Sequence, residues 1–165
     1  MEKVLKLFLD TEFTDFVNPE LLSIGIVDEL GNHFYGEIYY EKQLNWFVTE
    51  HVVSQWGKIP NSLYLDNEML SRHLIKWLSN YSEPLDICYD YHTDGELFCD
   101  LVGENLNFIY SNISYLNGSV YELAAIKEWA LIEKEMSIVR HHALADAYAL
   151  RATYWEAHGK PWLSC

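Results

Sequence analysis

Positive charge is scarce in this 165-residue sequence: 11 lysines and arginines stand against 25 aspartates and glutamates, for a formal net charge of −14. A protein that coats duplex nucleic acid displays a basic stripe and gains affinity by releasing counterions, so that class is excluded. An enzyme that holds a few phosphates through metal ions is not excluded, because bound cations reverse the local field. Cysteine is scarce too. Cys88, Cys99 and Cys165 are scattered, odd in number and without zinc-ligand spacing. That argues against a disulfide framework or a structural zinc site and leaves buried thiols in a reducing compartment. Long apolar runs are missing as well. The first, Val4 to Leu9, is interrupted by Lys6 and stopped by Asp10. It is too short for a secretion signal or a membrane span, so a soluble cytoplasmic protein is expected.

What the sequence does have is apolar and aromatic content. Half the residues are hydrophobic and 15% are aromatic, enough for one domain over residues 1–165 with a continuous core. Val4 to Leu9 reads as a buried strand and Leu21 to Val27 as a second. His33 to Tyr40 is a third, after the turn signal Glu29-Leu30-Gly31-Asn32. Leu44 to Pro60 reads as irregular and aromatic. Asp66 caps a helix running to Leu78, with Leu70, Leu74, Trp77 and Leu78 on one face. Leu85 to Tyr89 is a short strand, Thr93 or Asp94 caps a helix to about Val102, and Asn107 to Ile113 is a fifth strand. Val120 to Met136 and Leu144 to His158 are helical, the latter stopped by Gly159 and Pro161. An α/β fold follows, with one mixed five-stranded sheet flanked by helices.

Two places carry chemistry. In Leu9-Asp10-Thr11-Glu12-Phe13 a strand turns Asp10 and Glu12 to one side and Thr11 to the other. Two carboxylates so placed repel each other unless a cation neutralises them, and hard divalent cations take oxygen ligands of this kind. The plainer reading is a strand that has ended in two solvated acids. At the other end, Arg140-His141-His142-Ala143-Leu144-Ala145-Asp146-Ala147 places His141 at a helix start and Asp146 five residues on. His141 read plainly is a helix-start or core histidine, and Asp146 an acid favoured by the helix dipole. An aspartate among Ala143, Ala145, Ala147 and Ala149, however, sits on a helix able to pack close to a sheet, where it needs a partner.

LFLDTEF followed by LLSIGIV, with HHALADAYALR near the end, resembles the DEDDh exonucleases, the superfamily that includes RNase T, oligoribonuclease and polymerase proofreading domains. The resemblance spans residues 4 to 151. Asp10 and Glu12 match the family's first motif, and His141 and Asp146 its third. For the middle motif, an aspartate opening the helix after the fourth strand, Asp94 in Thr93-Asp94-Gly95-Glu96-Leu97-Phe98 fits best; Asp90 and Asp86 compete from on or just after the strand. Thr93 stands where the family often has Phe or Tyr. Trp46 to Val53 and the stretch from Asp94 to Cys99 are also similar to the RNase AS-type exoribonucleases, which favours RNA.

The resemblance implies a ribonuclease H-like fold and a magnesium-dependent 3′→5′ exoribonuclease that releases nucleoside 5′-monophosphates from single-stranded RNA. Two Mg²⁺ ions, or Mn²⁺ in their place, are implied: Asp10 bridging, Glu12 and Asp146 completing one shell, Asp94 holding the other ion. His141 is the implied general base, with Thr11 and Phe13 against the terminal nucleotide. His142, four residues before Asp146, rivals His141 on spacing, but is expected in the first turn facing solvent or a neighbour. His51 is expected to be a loop histidine without function. A single-stranded DNA exonuclease and a catalytically silent binding module stay open as alternatives. Six Trp and twelve Tyr, beside the habit of small relatives, suggest a homodimer.

Overall fold

A computed structural model describes residues 4–103 and 108–160. Its centre is β1 (Leu5–Phe13), whose alternation sends Leu5, Leu7 and Leu9 into one core and Phe8 into another. β2 (Leu21–Asp28) and β3 (His33–Ile38) follow as antiparallel neighbours, joined by a turn in which Gly31 has φ 97°. Asp28 organises that turn: its carboxylate accepts from Leu30 N, Asn32 N and Asn32 Nδ2 at 2.8, 2.9 and 2.7 Å.

The sheet has six strands rather than five, in the order β4-β3-β2-β1-β5-β6. The extra strand, β4 (Leu63–Tyr64), is two residues long and runs parallel to the end of β3, too short to leave a periodic trace in the sequence. β5 (Leu85–Tyr89) lies parallel to β1, and β6 (Ile109–Asn112) parallel to β5; Asn107, expected to begin this last strand, falls outside the described residues, as do Pro161 and Cys165.

Helices cover both faces. On one side lie α2 (Asn67–Leu78) and α3 (His92–Val102), sealing Leu7, Leu9, Ile24 and Ile26 beneath Leu70, Leu74 and Phe98. Asp66 caps α2, accepting from Met69 N at 2.8 Å. α3 begins one residue before Thr93, with Tyr91 as a cap that makes no side-chain bond; neither Thr93 nor Asp94 caps it, and both side chains are turned inward. On the other side lie α4 (Ser119–Met136) and α5 (Ala143–His158). The segment 44–60 is not irregular throughout. It holds α1 (Trp46–His51), capped by Asn45, and a single 3₁₀ turn at Val53–Gln55.

The approach of α5 to the sheet explains its alanines. A Cβ placed on Gly25 of β2 would lie 2.4 Å from Ala143 C and Leu144 N. Glycine on the strand and alanine on the helix let the backbones meet, and this contact sets where Asp146 stands relative to β1. No helix among the described residues is long and apolar enough to cross a membrane.

Candidate metal centre

Because Leu7 and Leu9 face α2 and α3, Asp10 and Glu12 face α5, and Thr11 turns back toward α3. The end of β1 therefore meets acids from both layers. Ligand atoms of Glu12, His141 and Asp146 lie within 4.8 Å of one another, and so do those of Asp10, Asp90 and Asp94. Asp10, Glu12, Asp94, His141 and Asp146 come together from three separated parts of the chain.

Each outer member is held by identifiable bonds. Asp94 is buried and accepts through Oδ1 from Thr11 Oγ1 at 2.6 Å and Thr11 N at 3.2 Å. Asp146 accepts from Trp129 Nε1 at 2.7 Å and from His141 N at 2.9 Å. His141 precedes α5 with φ 66°, a left-handed conformation that costs a non-glycine residue about 1–3 kcal/mol and persists where its surroundings demand it. Its ring stands 5.1 Å from Phe47 and 5.8 Å from His51, both on α1. His51 is thus a helical residue facing the site region, not a loop residue.

His142 does not face solvent. It is 2% exposed, occupies the N-cap position of α5 and stacks on Tyr35 at 4.3 Å; both of its ring nitrogens lack hydrogen-bond partners. Burial, with the Lys58 charge behind it, pushes its pKa down to about 3, so it is a neutral core ring. Thr11 has its hydroxyl committed to Asp94 and is 4% exposed, which makes it a support for that carboxylate; its side chain is not offered to a ligand. Phe13 is half-buried at the rim, parallel to Tyr91 at 6.4 Å, with Phe16 edge-on to both.

Burial first, then repulsion from Asp94, Asp146, Glu12 and Asp90, raises the Asp10 pKa well above its ordinary value. Glu12 is raised by burial and by Asp146 and Asp94. Asp94 and Asp146 are both pushed up to about 7, mainly by burial, against the lowering effect of the groups that hydrogen-bond them. Of the described residues lining the adjoining cleft of about 260 Å³, Arg140 is the only cation, and its guanidinium lies 5.1 Å over the Trp129 ring. Carboxylates this crowded, with the His141 ring beside them, could hold a metal ion that takes oxygen ligands. His141 is pushed below its usual pKa by burial and by Arg140 and His51, so it is a neutral acceptor near pH 7. A larger groove of about 880 Å³ between Pro19-Glu20, Tyr39-Tyr40 and α2 contains none of these groups; its size says nothing about chemistry.

Sequence reasoning ranked Asp90 below Asp94, and the structure groups both with Asp10; it did not single out Trp129. Asp90 directly follows the apolar strand β5, parallel to β1, and that position was its signal. Trp129 had none, since an aromatic residue on a helix that mixes apolar and charged side chains, as α4 does, announces no bond to a carboxylate. Asp86, the other competitor for the middle motif, is paired with Lys6 at 2.5 Å at the far end of β1 and stands outside the cluster. No protein-family model matches the chain, and no curated protein is significantly similar to it.

Proposed function

We propose that this chain is a divalent-metal-dependent 3′→5′ exonuclease of the DEDDh type, acting on single-stranded RNA and releasing nucleoside 5′-monophosphates. The observation that carries the reading is the meeting of Asp10, Glu12, Asp94 and Asp146 with His141 at the end of β1, all four carboxylates raised in pKa first by burial, then by neighbouring acids, which for Asp94 and Asp146 means Asp90. A silent binding domain gains nothing from such mutual repulsion. The sheet, an antiparallel run of β1 to β3 with β5 and β6 added parallel beyond β1, is compatible with a ribonuclease H-like fold.

The residues fit two Mg²⁺ or Mn²⁺ ions. Glu12 and Asp146, with His141 beside them, would hold one, and Asp10 and Asp94, with Asp90 beside them, the other. When bound, the ions supply charge neutralisation for the phosphodiester and acidify water. The protein's own work is positional. Asp146 receives the His141 N–H and so fixes the imidazole beside the carboxylates. His141, neutral near pH 7, would accept a proton from the water whose oxygen bonds to the terminal phosphorus. The bond from that phosphorus to the 3′ oxygen of the penultimate nucleotide would break as it does so, and the oxygen would take a proton from solvent. With a net charge of −14 the molecule has no extended grip on a strand, which favours attack at an end. Equal-sequence RNA and DNA strands, incubated with and without Mn²⁺, test the reading. Metal-dependent loss of 3′ nucleotides from RNA supports it, preference for DNA reassigns the substrate, and inertness toward both removes it.

A further inference from the structure

His141 holds a strained backbone angle at the end of a segment that belongs to no helix or strand, residues 138 to 142. Its C-terminal side is anchored: His141 N donates to Asp146, and Asp146 N donates to His142 O at 3.0 Å. Its N-terminal side is held by a side chain 85 residues away from Arg140. Gln55, in the 3₁₀ turn after α1, is 3% exposed. Its Oε1 accepts from Val139 N at 2.8 Å, and its Nε2 donates to Arg140 O at 3.0 Å. The second Nε2 hydrogen goes to His51 O at 2.7 Å. One donor and two acceptors on the backbone leave a single orientation for the amide.

Gln55 thus does for residues 139 and 140 what a neighbouring strand would do, satisfying the two backbone groups that precede His141. The same amide ties down the last turn of α1, which carries Phe47 and His51 against the His141 ring. We infer that Gln55 is a positioning residue for His141: it fixes the backbone that aims the imidazole at the carboxylate cluster and the ring wall behind it. The inference rests on the exonuclease reading, in which His141 accepts a proton and a displacement of about 1 Å costs on the order of 10²-fold. Gln55 itself touches neither metal ligands nor the cleft.

The test is a cycle between Gln55→Leu and His141→Ala, read by kcat, KM and Mn²⁺ affinity on single-stranded RNA. Gln55→Leu is expected to lower kcat by about 10- to 100-fold with KM and Mn²⁺ affinity within about two-fold, and to cost nothing further in the His141→Ala background. Equal losses in both backgrounds, or lost Mn²⁺ binding, overturn the inference, as does an unchanged kcat. Should Gln55→Leu not fold, Gln55→Glu keeps the acceptor for Val139 but turns a carboxylate oxygen toward two carbonyls. Its rate relative to wild type must then recover as pH falls and that carboxyl gains a donating proton, and a flat ratio overturns the inference. A wild type inert on every strand defeats the exonuclease reading alone. The positioning role is then decided by histidine-labelled NMR, where the His141 ring resonance must move or broaden in the variant while that of His73 on α2 stays put.

Discussion

His141 and His142 are adjacent in sequence and differ in almost everything else. His141 stands half-buried in the cleft with its N–H on Asp146, whereas His142 is stacked on Tyr35 with neither ring nitrogen bonded. His141→Ala is therefore expected to lower turnover by a factor on the order of 10² to 10⁴ with the thermal midpoint nearly unchanged. His142→Ala should instead destabilise the fold by about 1–3 kcal/mol through the space it leaves under α5. His142→Phe sharpens the contrast. It keeps the stack and removes two unsatisfied nitrogens, so its midpoint should equal or exceed wild type in a thermal melt; a large fall would mean the nitrogens are satisfied in solution. Among the carboxylates, Asp10→Ala, Glu12→Ala and Asp146→Ala should each abolish turnover while raising metal-free stability, because each relieves crowded like charge. Near-wild-type rates for Asp10→Ala at saturating Mg²⁺ would remove the metal assignment.

At the scale of elements, the contact between β2 and α5 sets the site. Gly25→Ala would drive a methyl into the Ala143 and Leu144 backbone, and α5 carries Asp146. A loss of about 1–3 kcal/mol with a fall in turnover is expected, measured by denaturant unfolding beside rates; a neutral outcome would mean that α5 sits further from the sheet. The sequence showed much of this. The apolar β1 and β2, the capped α2 and the alanine-rich α5 were legible because periodicity, a cap residue and small side chains each have one structural meaning. β4 and α1 were not, since two or six residues are too few to repeat a period. In the site, Asp10 and Glu12 were readable from strand alternation and Asp146 from its alanine setting. The Trp129 and Gln55 bonds depend on which loops meet in space, and no local spacing encodes that.

For the whole molecule, buried acids make stability depend on pH in an unusual sense. In the metal-free fold Asp94 and Asp146 keep their protons up to about pH 7, while in the unfolded chain such groups release them near pH 4. Between those values the folded state binds more protons, so this contribution is present in full below about pH 4 and is lost as pH rises through about 7. The thermal midpoint in chelator should fall from about pH 5 to about pH 8, and the rise produced by Mn²⁺ should grow over the same range; Asp146→Asn should shrink both. A midpoint indifferent to Mn²⁺ at about pH 8 would contradict the metal centre. The most direct measurement of the central claim is product analysis on a single-stranded RNA labelled at its 3′-terminal nucleotide, with wild type and Asp10→Ala side by side. Wild type should release the label as a nucleoside 5′-monophosphate, only with Mg²⁺ or Mn²⁺, and the variant should release none. Label that stays on the strand, release that persists in Asp10→Ala, or cutting of a circular single strand would contradict it.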